Sequence, residues 1–281
     1  MYENLDEFGK DCALDGKKNN HEKPGDLRAE HDAGFTAKEY HFADGTKKKT
    51  WYFGFNARIL CDANYGLPIW KKVTSANVYE QKTCDEMLKE LKTNRPMVLD
   101  LMENFLADAG YDNGKRNRLL KEEYNINPIV DTRHMWSKEE KLREIDNKPL
   151  SYNQDSEVFY IKDIVNGEYE KLIYLGYDKQ RKCLRYGHKA KPGVYRIPLK
   201  TDYRIFTPVA RDSDKFKKLY KKRTEVERLN GRIDRDYMFN DHFIRGKKTL
   251  DTMLTLSFII MLSMAKGHIK NKKDNIRSLA N

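Results

Sequence analysis

The sequence has 281 residues, of which 39% are hydrophobic and 35% are charged, and its formal net charge is +11. This length suits one large domain or two smaller ones, and the basic balance favours a polyanionic partner, nucleic acid before an anionic membrane. The four cysteines form no CxxC pair and no secretory segment opens the chain, which argues against a disulfide-rich secreted protein and favours a cytosolic one.

The first part of the chain predicts strands followed by a helix. Residues 11–15, DCALD, predict a short strand with Asp15 at its exit, although an Asp before Gly is also a common turn residue. Asp32 is a weaker carboxylate candidate at the end of the following loop. Residues 49–75 alternate aromatic and branched side chains and predict two strands, and residues 79–92 predict a helix. This order opens an RNase H-like domain, although other α/β folds begin similarly.

A β-α-β unit follows. Residues 105–107 predict a strand that ends at Asp108, Asn113 predicts a helix cap, and residues 129–130 predict a further strand. Asp108 would then lie at the carboxyl end of a strand, where α/β sheets carry their ligands. Asp112 is the competing carboxylate, and either residue could instead serve a turn or a helix start.

Residues 134–212 predict an antiparallel β insertion, because strand-like runs alternate there with Asn-Gly and Gly-Tyr-Asp turns. Its basic side chains form either a DNA-facing strip or a solvated sheet face. They are Arg181, Lys182, Arg185, His188, Lys189 and Lys191. Cys183 and His188 lack a second pair of ligands at suitable spacing, so zinc is not expected.

Two helices are predicted in the last part of the chain. Residues 214–237 predict one long helix, with Tyr220, Arg223 and Glu227 close together beside its apolar stripe. The segment is rich in Lys and Arg, which suits phosphate binding, but Arg223 and Glu227 also fit an ordinary solvated pair. Residues 250–265 are too short and too polar for a membrane span, and they predict a helix buried on a sheet that ends at Gly267.

Three carboxylates at strand ends and on a facing helix could hold two divalent cations. Such a pair of cations activates an attacking oxygen and stabilises the leaving oxygen in phosphoryl transfer. Mg²⁺ needs only a few carboxylates in addition to phosphate oxygens and water. Asp15, Asp108 and Glu227 are the candidate set.

The spacing Tyr220-(2)-Arg223-(3)-Glu227 resembles the Y-(2)-R-(3)-E-(6)-K signature of DDE transposases from bacterial insertion sequences. The final Lys of that signature is Asp234 here. The resemblance extends over nearly the whole chain in the order of the family's motifs: ALDGK, then WYFGFNARILCDANYGLPIWKKVTSAN, ADAGYDN and RTEVERLN.

The resemblance implies an RNase H-like mixed α/β fold interrupted by the β insertion. The implied division is residues 1–133 and 213–281 for the catalytic domain, with a basic tail, and residues 134–212 for the insertion. By carry-over, Asp15, Asp108 and Glu227 are the catalytic, metal-binding acids. The residues expected near DNA phosphates are Tyr220, Arg223, Lys222, Arg228 and Arg232.

The implied activity is metal-dependent cleavage at transposon ends, followed by attack of the freed 3′-hydroxyl on target DNA. The implied cofactor is Mg²⁺, for which Mn²⁺ is expected to substitute, and the implied partner is DNA bound by a homodimer in the cytoplasm, at the nucleoid. Members of this group usually carry a helical DNA-binding region before the first acid, whereas fourteen residues precede Asp15. A truncated, non-catalytic DNA-binding remnant and an RNase H-like nuclease without strand transfer are the alternatives.

Overall fold

The structure is a computed structural model, and it describes residues 32–42, 44–133, 136–137, 140–163, 166–189, 191–239, 244–272 and 276. The fold is mixed α/β, with several sheets and flanking helices. The described residues divide into two compact units: unit 1 comes from residues 1–83 and 225–281, and unit 2 is residues 84–224. The predicted strand at residues 11–15 lies outside the described residues.

Unit 1 contains a three-stranded antiparallel sheet, which confirms the β structure predicted for residues 49–75. Its strands are β1 (Gly34–His41), β2 (Lys47–Cys61) and β3 (Pro68–Ser75). Strand β1 lies outside the segment for which the sequence pattern predicts strands. The turn after β2 is built on Asp62, whose Oδ1 accepts hydrogen bonds from the amides of Asn64 and Tyr65. Gly66 completes the turn at φ +60°, a left-handed value that favours glycine.

Two helices complete the described part of unit 1: α5 (Thr224–Asp236) and α6 (Lys247–Lys270). Helix α6 packs on β3 through a shared apolar cluster of Val73, Leu229, Ile233, Leu254, Phe258 and Met261. The predicted helix on a sheet is therefore confirmed. The predicted stop at Gly267 is wrong, because the helix continues to Lys270, and Gly267 lies inside it as a tolerated residue.

Helix α6 is also, among the described residues, the one helix that is long and apolar enough to cross a bilayer by length and composition. The helix also exposes large apolar side chains, which are Met253, Leu256, Ile259, Ile260, Leu262 and Ile269. The same helix buries Leu254, Phe258 and Met261 against β3, as a helix of a globular core does.

Unit 2 contains the predicted β-α-β unit. Strands β4 (Asn104–Ala107) and β5 (Asn127–Val130) are parallel, and α3 (Gly114–Glu122) connects them. The Asn113 side chain caps α3 by accepting hydrogen bonds from the amides of Lys115 and Arg116, as its position before the helix predicts. Before β4 come α1 (Glu80–Asn94), which confirms the helix predicted at residues 79–92, and the short α2 (Pro96–Leu101).

Between β5 and the last helix of unit 2, seven antiparallel strands form two sheets in the orders β6-β7-β8-β9 and β10-β11-β12. They are β6 (Arg143–Glu144), β7 (Leu150–Tyr152), β8 (Val158–Asp163), β9 (Glu168–Lys171), β10 (Ile173–Asp178), β11 (Cys183–Gly187) and β12 (Tyr195–Pro198). They share an apolar core that includes Tyr186 and Phe206, both fully buried.

The predicted single helix over residues 214–237 is wrong, because the structure has two helices there. Helix α4 (Asp214–Lys221) ends in a turn in which the amide of Lys222 donates to the Leu219 carbonyl and that of Arg223 donates to Tyr220. The Thr224 hydroxyl donates to the Lys221 carbonyl. These local bonds replace the continuing helical ladder, so Tyr220 and Glu227 lie on different helices.

A buried carboxylate joins three segments of unit 2. The Asp112 Oδ2 accepts a hydrogen bond from the Arg204 Nε at 2.6 Å and another from the Arg133 amide at 2.8 Å. The Asp112 side chain is fully buried, whereas that of Arg204 is 21% exposed. Arg211, also buried, donates to the carbonyl oxygens of Val130 and Ile205. The loop after β5 is therefore fixed to the start of α3 and to residues 204–211.

We expect Asp112→Asn to lower the free energy of unfolding by about 3 kcal/mol, because removing one charge leaves Arg204 and Arg211 uncompensated in a largely buried place. Urea titration followed by tryptophan fluorescence measures this change. Asp100→Asn, at an exposed position of α2, is the control and should change stability by less than about 0.5 kcal/mol. Equal losses in the two variants would contradict the role given to Asp112.

We also expect Phe258→Ala to destabilise unit 1 by about 3 kcal/mol, because it empties a site between α6 and β3. Leu256→Ala, on the same helix and 49% exposed, should cost much less. Thermal unfolding of both variants measures the difference. A helix that did not pack on the sheet would give similar midpoints for the two.

Candidate active site

Two carboxylates leave the same edge of the parallel sheet. Strand register pairs Ala107 with Val130, so the next residues, Asp108 and Asp131, follow neighbouring strand ends. Both residues are exposed. The carboxyl edge of parallel strands is where α/β sheets place ligands, and the position predicted for Asp108 at a strand end is confirmed.

Local hydrogen bonds orient both carboxylates. The Asp108 Oδ1 accepts from the Gly110 amide at 2.9 Å and thereby caps a short 3₁₀ turn. The Asp131 Oδ1 accepts from the Thr132 amide at 2.8 Å. Asp112, the competing candidate, is buried against Arg204, so of the two residues near this turn, Asp108 is the one that a ligand can reach.

Tyr220 lies close to both acids. Helix α4 packs on β4 and β5, and its Phe216 is buried against Ile129 while Tyr220 covers the margin of the same cluster. The rings of Phe216 and Tyr220 stack with centroids 5.7 Å apart and an interplanar angle of 11°. The guanidinium carbon of Arg223 lies 5.6 Å from the Tyr220 ring centroid, which suits a cation–π contact.

The environment of Tyr220 raises the pKa of its hydroxyl. Burial is the main cause, and the negative charges of Asp131 and Asp108 add to it, while Arg223 acts in the opposite direction. A tyrosine with a pKa above its usual value of about 10 is protonated at neutral pH and can donate a hydrogen bond. The edge therefore presents two acids beside a hydroxyl donor and a cation.

Helix α4 and the turn after it also carry exposed lysines. They are Lys215, Lys217, Lys218, Lys221 and Lys222. Carboxylate oxygens are the ligands that Mg²⁺ prefers, and Lys and Arg attract phosphate. The chemistry of these donors fits a hard cation bound together with a phosphodiester, although two carboxylates alone are fewer than a two-cation site requires.

The other predicted site residues of the last helices lie in unit 1. Glu227 is exposed in the first turn of α5, whereas Glu225 is buried and pairs with Arg228. Arg232 donates a hydrogen bond to the Gly66 carbonyl. Their roles in binding metal or phosphate stay predictions.

Asp15, the first predicted acid, lies outside the described residues. Across the part of the chain that the structure describes, no three His, Cys, Asp or Glu side chains are grouped closely enough to hold a metal ion. The structure thus brings together Asp108 with Tyr220 and Arg223, and it adds Asp131 to them.

Asp131 is the residue that the sequence reasoning missed. The sequence already carried a signal for it, because the strand predicted at residues 129–130 is followed directly by an Asp, as the earlier strand is by Asp108. Two parallel strands joined by a helix end at the same edge. A predicted β-α-β unit therefore implies that both acids are neighbours.

The sequence allows two interpretations of the basic side chains of the β insertion, a DNA-facing strip or a solvated sheet face, and the structure gives local partners for two of them. His188 is largely buried, with its Nδ1 2.8 Å from the Glu170 Oε1 and its Nε2 3.2 Å from the Tyr195 hydroxyl. The Arg185 Nη2 lies 3.4 Å from the Leu175 carbonyl oxygen. Sequence spacing does not reveal these local partners.

Comparison with known proteins identifies the family. A family model described as the transposase DDE domain matches residues 11–263, which is most of the chain. No curated protein and no solved structure matches. Because the match includes the β4–β5 edge, both α4 and α5, and most of α6, the chain belongs to the transposase DDE-domain family.

Proposed function

We propose that this transposase cleaves phosphodiester bonds at transposon ends and joins the freed 3′ ends to target DNA. The observation that carries the proposal is the exposed pair of Asp108 and Asp131 at a parallel-sheet edge, beside Tyr220 and Arg223. Family membership supplies the reaction class. The Tyr220-(2)-Arg223-(3)-Glu227 spacing favours the group with the Y-(2)-R-(3)-E-(6)-K signature and an RNase H-like catalytic domain.

The catalytic acids in this proposal are Asp15, Asp108 and Glu227, which would hold Mg²⁺ or Mn²⁺. Divalent cations bound there would supply activation of the attacking oxygen and charge stabilisation at the leaving oxygen. Asp108 suits this role, because its backbone contact with Gly110 orients the carboxylate while the residue stays exposed.

The neighbouring side chains would bind the phosphate. Tyr220, kept protonated by its raised pKa, would donate a hydrogen bond to a phosphate oxygen, and Arg223 would offset its negative charge. Lys222 is exposed at the end of α4 and fits the same role. Arg228 and Arg232 would exchange their present contacts with Glu225 and Gly66 for phosphate.

The proposed partner is DNA, bound at transposon ends and at the target by a homodimer, in the cytoplasm at the nucleoid. The net charge of +11 supports a polyanionic ligand. This charge is shared by the DNA-binding remnant and by a nuclease without strand transfer, so binding alone does not distinguish the three.

We expect the protein to nick supercoiled plasmid in the presence of Mn²⁺, and Glu227→Gln and Asp108→Asn to reduce the rate at least about 100-fold, the order of loss for one active-site stabilising group. Agarose gels of the plasmid measure the rate, and a filter assay checks that DNA binding is unchanged. Glu168→Gln, exposed on β9, is the control and should nick at the original rate.

The same preparation tests strand transfer with a labelled, pre-cleaved transposon end. Joined product supports a transposase, while nicking without joining supports the nuclease. DNA binding with no nicking by the unmodified protein would identify the non-catalytic remnant and refute the proposal.

We further expect Asp131→Asn to raise the Mn²⁺ concentration needed for half-maximal nicking by about 10- to 100-fold, because residues beside metal ligands tune metal affinity by that amount. Titration of Mn²⁺ in the nicking assay measures this shift. Asp100→Asn should leave the Mn²⁺ dependence unchanged. A variant of Asp131 that loses activity at all Mn²⁺ concentrations equally, or loses none, would contradict a role near the metal.

A further inference from the structure

We propose that Lys121, Lys179 and Lys182 form a second DNA-phosphate site in unit 2, apart from the edge that carries Asp108. The proposal rests on the proposed function, since it takes duplex DNA as the ligand. We call these three residues the lysine cluster.

The lysine cluster lies where α3 meets the turn between β10 and β11. Lys121, in the last turn of α3, donates hydrogen bonds to the side-chain oxygens of Asn125 at 2.8 Å and Asn127 at 3.2 Å. Its Nζ is 5.7 Å from the ring centroid of Tyr177, near the end of β10. Lys179 and Lys182 belong to the turn that follows, and both are exposed. These contacts hold Lys121 beside the end of β10, where the turn begins.

Lys179 and Lys182 lie near enough to Lys121 for their charges to act on it. The pKa of Lys121 is lowered, first by burial and then by the positive charges of Lys179 and Lys182. Folding therefore holds like charges together at an energetic cost, which an anion bound between them would relieve.

Among the described residues, the acids beside the lysine cluster in the sequence already have other partners. The Glu122 carboxylate accepts hydrogen bonds from Arg118 and from the Tyr203 hydroxyl. These two bonds are the main reason that its pKa is lowered, and the charge of Lys182 adds a smaller effect. Asp178 accepts a hydrogen bond from the Arg181 amide within the turn. Glu123, the remaining acid of the last turn, pairs with Lys92 at 3.6 Å. Residues 118–123 and 178–182 together carry five cations and three carboxylates, so their net charge is positive and suits a phosphodiester.

The backbone at Lys182 supplies an independent observation. Its φ is +48°, in the left-handed region, where a side chain other than Asn or Asp is disfavoured. Lys182 is the last residue of the β10–β11 turn, where a single left-handed residue commonly closes a short hairpin loop, so the turn itself places this cation near Lys121.

The lysine cluster lies apart from the edge of the β4–β5 sheet that carries Asp108 and Asp131, which we call the acid edge. Asp108 lies before α3 and Lys121 lies in its last turn, and a helix of nine residues is about 14 Å long. One DNA strand advances about 3.4 Å per nucleotide. Lys121 thus lies at the end of α3 away from Asp108, near the start of β5, about four nucleotide spacings along the helix axis. The lysine cluster would therefore bind phosphates other than the scissile one.

The first test compares a triple variant, Lys121→Gln with Lys179→Gln and Lys182→Gln, with a control that removes three other exposed cations of unit 2. The control is Lys89→Gln with Lys141→Gln and Lys200→Gln. Fluorescence anisotropy with a 30-base-pair duplex of arbitrary sequence (~30 base pairs spans three turns), without divalent cations, gives the affinity as NaCl is varied. The slope of log affinity against log salt should fall by about 0.9 for each DNA phosphate that the triple variant no longer neutralises, and the control should keep the original slope.

A second variant guards against misfolding. Lys182→Asn removes the charge but tolerates the left-handed backbone, so its thermal midpoint should equal or exceed that of the unmodified protein while the salt slope falls by about 1. Unchanged slopes in both this variant and the triple variant would overturn the proposal. So would displacement of the duplex by inorganic triphosphate at matched ionic strength, which would identify a site for small anions.

These outcomes are independent of the nicking assay. A reduced slope in the triple variant, with no nicking by the unmodified protein, would keep the lysine cluster as a DNA site and refute the transposase activity. Nicking by the unmodified protein, with unchanged salt slopes in the variants, would support the transposase activity and refute the lysine cluster as a DNA site.

Discussion

The position of the acid edge depends on the hydrogen bonds that the buried carboxylate of Asp112 accepts. This carboxylate binds Arg204 and the amide of Arg133, and Arg211 fixes the Val130 carbonyl from the other side. The loop that begins at Asp131 therefore has a defined path. Charges in a low-dielectric interior are costly unless they are paired, so this arrangement exchanges some stability for a fixed position of the loops that present Asp108 and Asp131.

Much of the fold follows from local sequence patterns. Alternation predicts β2 and β3, Asn113 predicts the start of α3, and the strand–Asp pattern predicts the position of Asp108, because side-chain period, capping and parallel pairing each act over a few residues. The break between α4 and α5 could not be predicted in this way. It depends on the Thr224 hydroxyl competing for the Lys221 carbonyl, whereas the apolar residues around it keep a helical spacing through the break.

The site is predictable to a smaller extent than the fold. The sequence names Asp108, Tyr220 and Arg223, which the structure brings together, but it does not separate the exposed Asp108 from the buried Asp112. That distinction comes from Arg204, which is distant in sequence. The proximity of Lys182 to Lys121 has the same origin, since tertiary contacts determine the neighbours of a surface charge.

The exposed apolar side chains of α6 have a practical consequence for purification. A protein of net charge +11 is expected to retain host nucleic acid, and concentrated salt is the usual means of stripping it, because salt weakens phosphate contacts. Salts such as ammonium sulfate also strengthen the association of apolar surfaces. Helix α6 exposes six large apolar side chains. A wash in such a salt would therefore promote aggregation of the protein while it removes bound nucleic acid. A salt with a chaotropic anion, or a mild surfactant, is expected to remove nucleic acid with less aggregation.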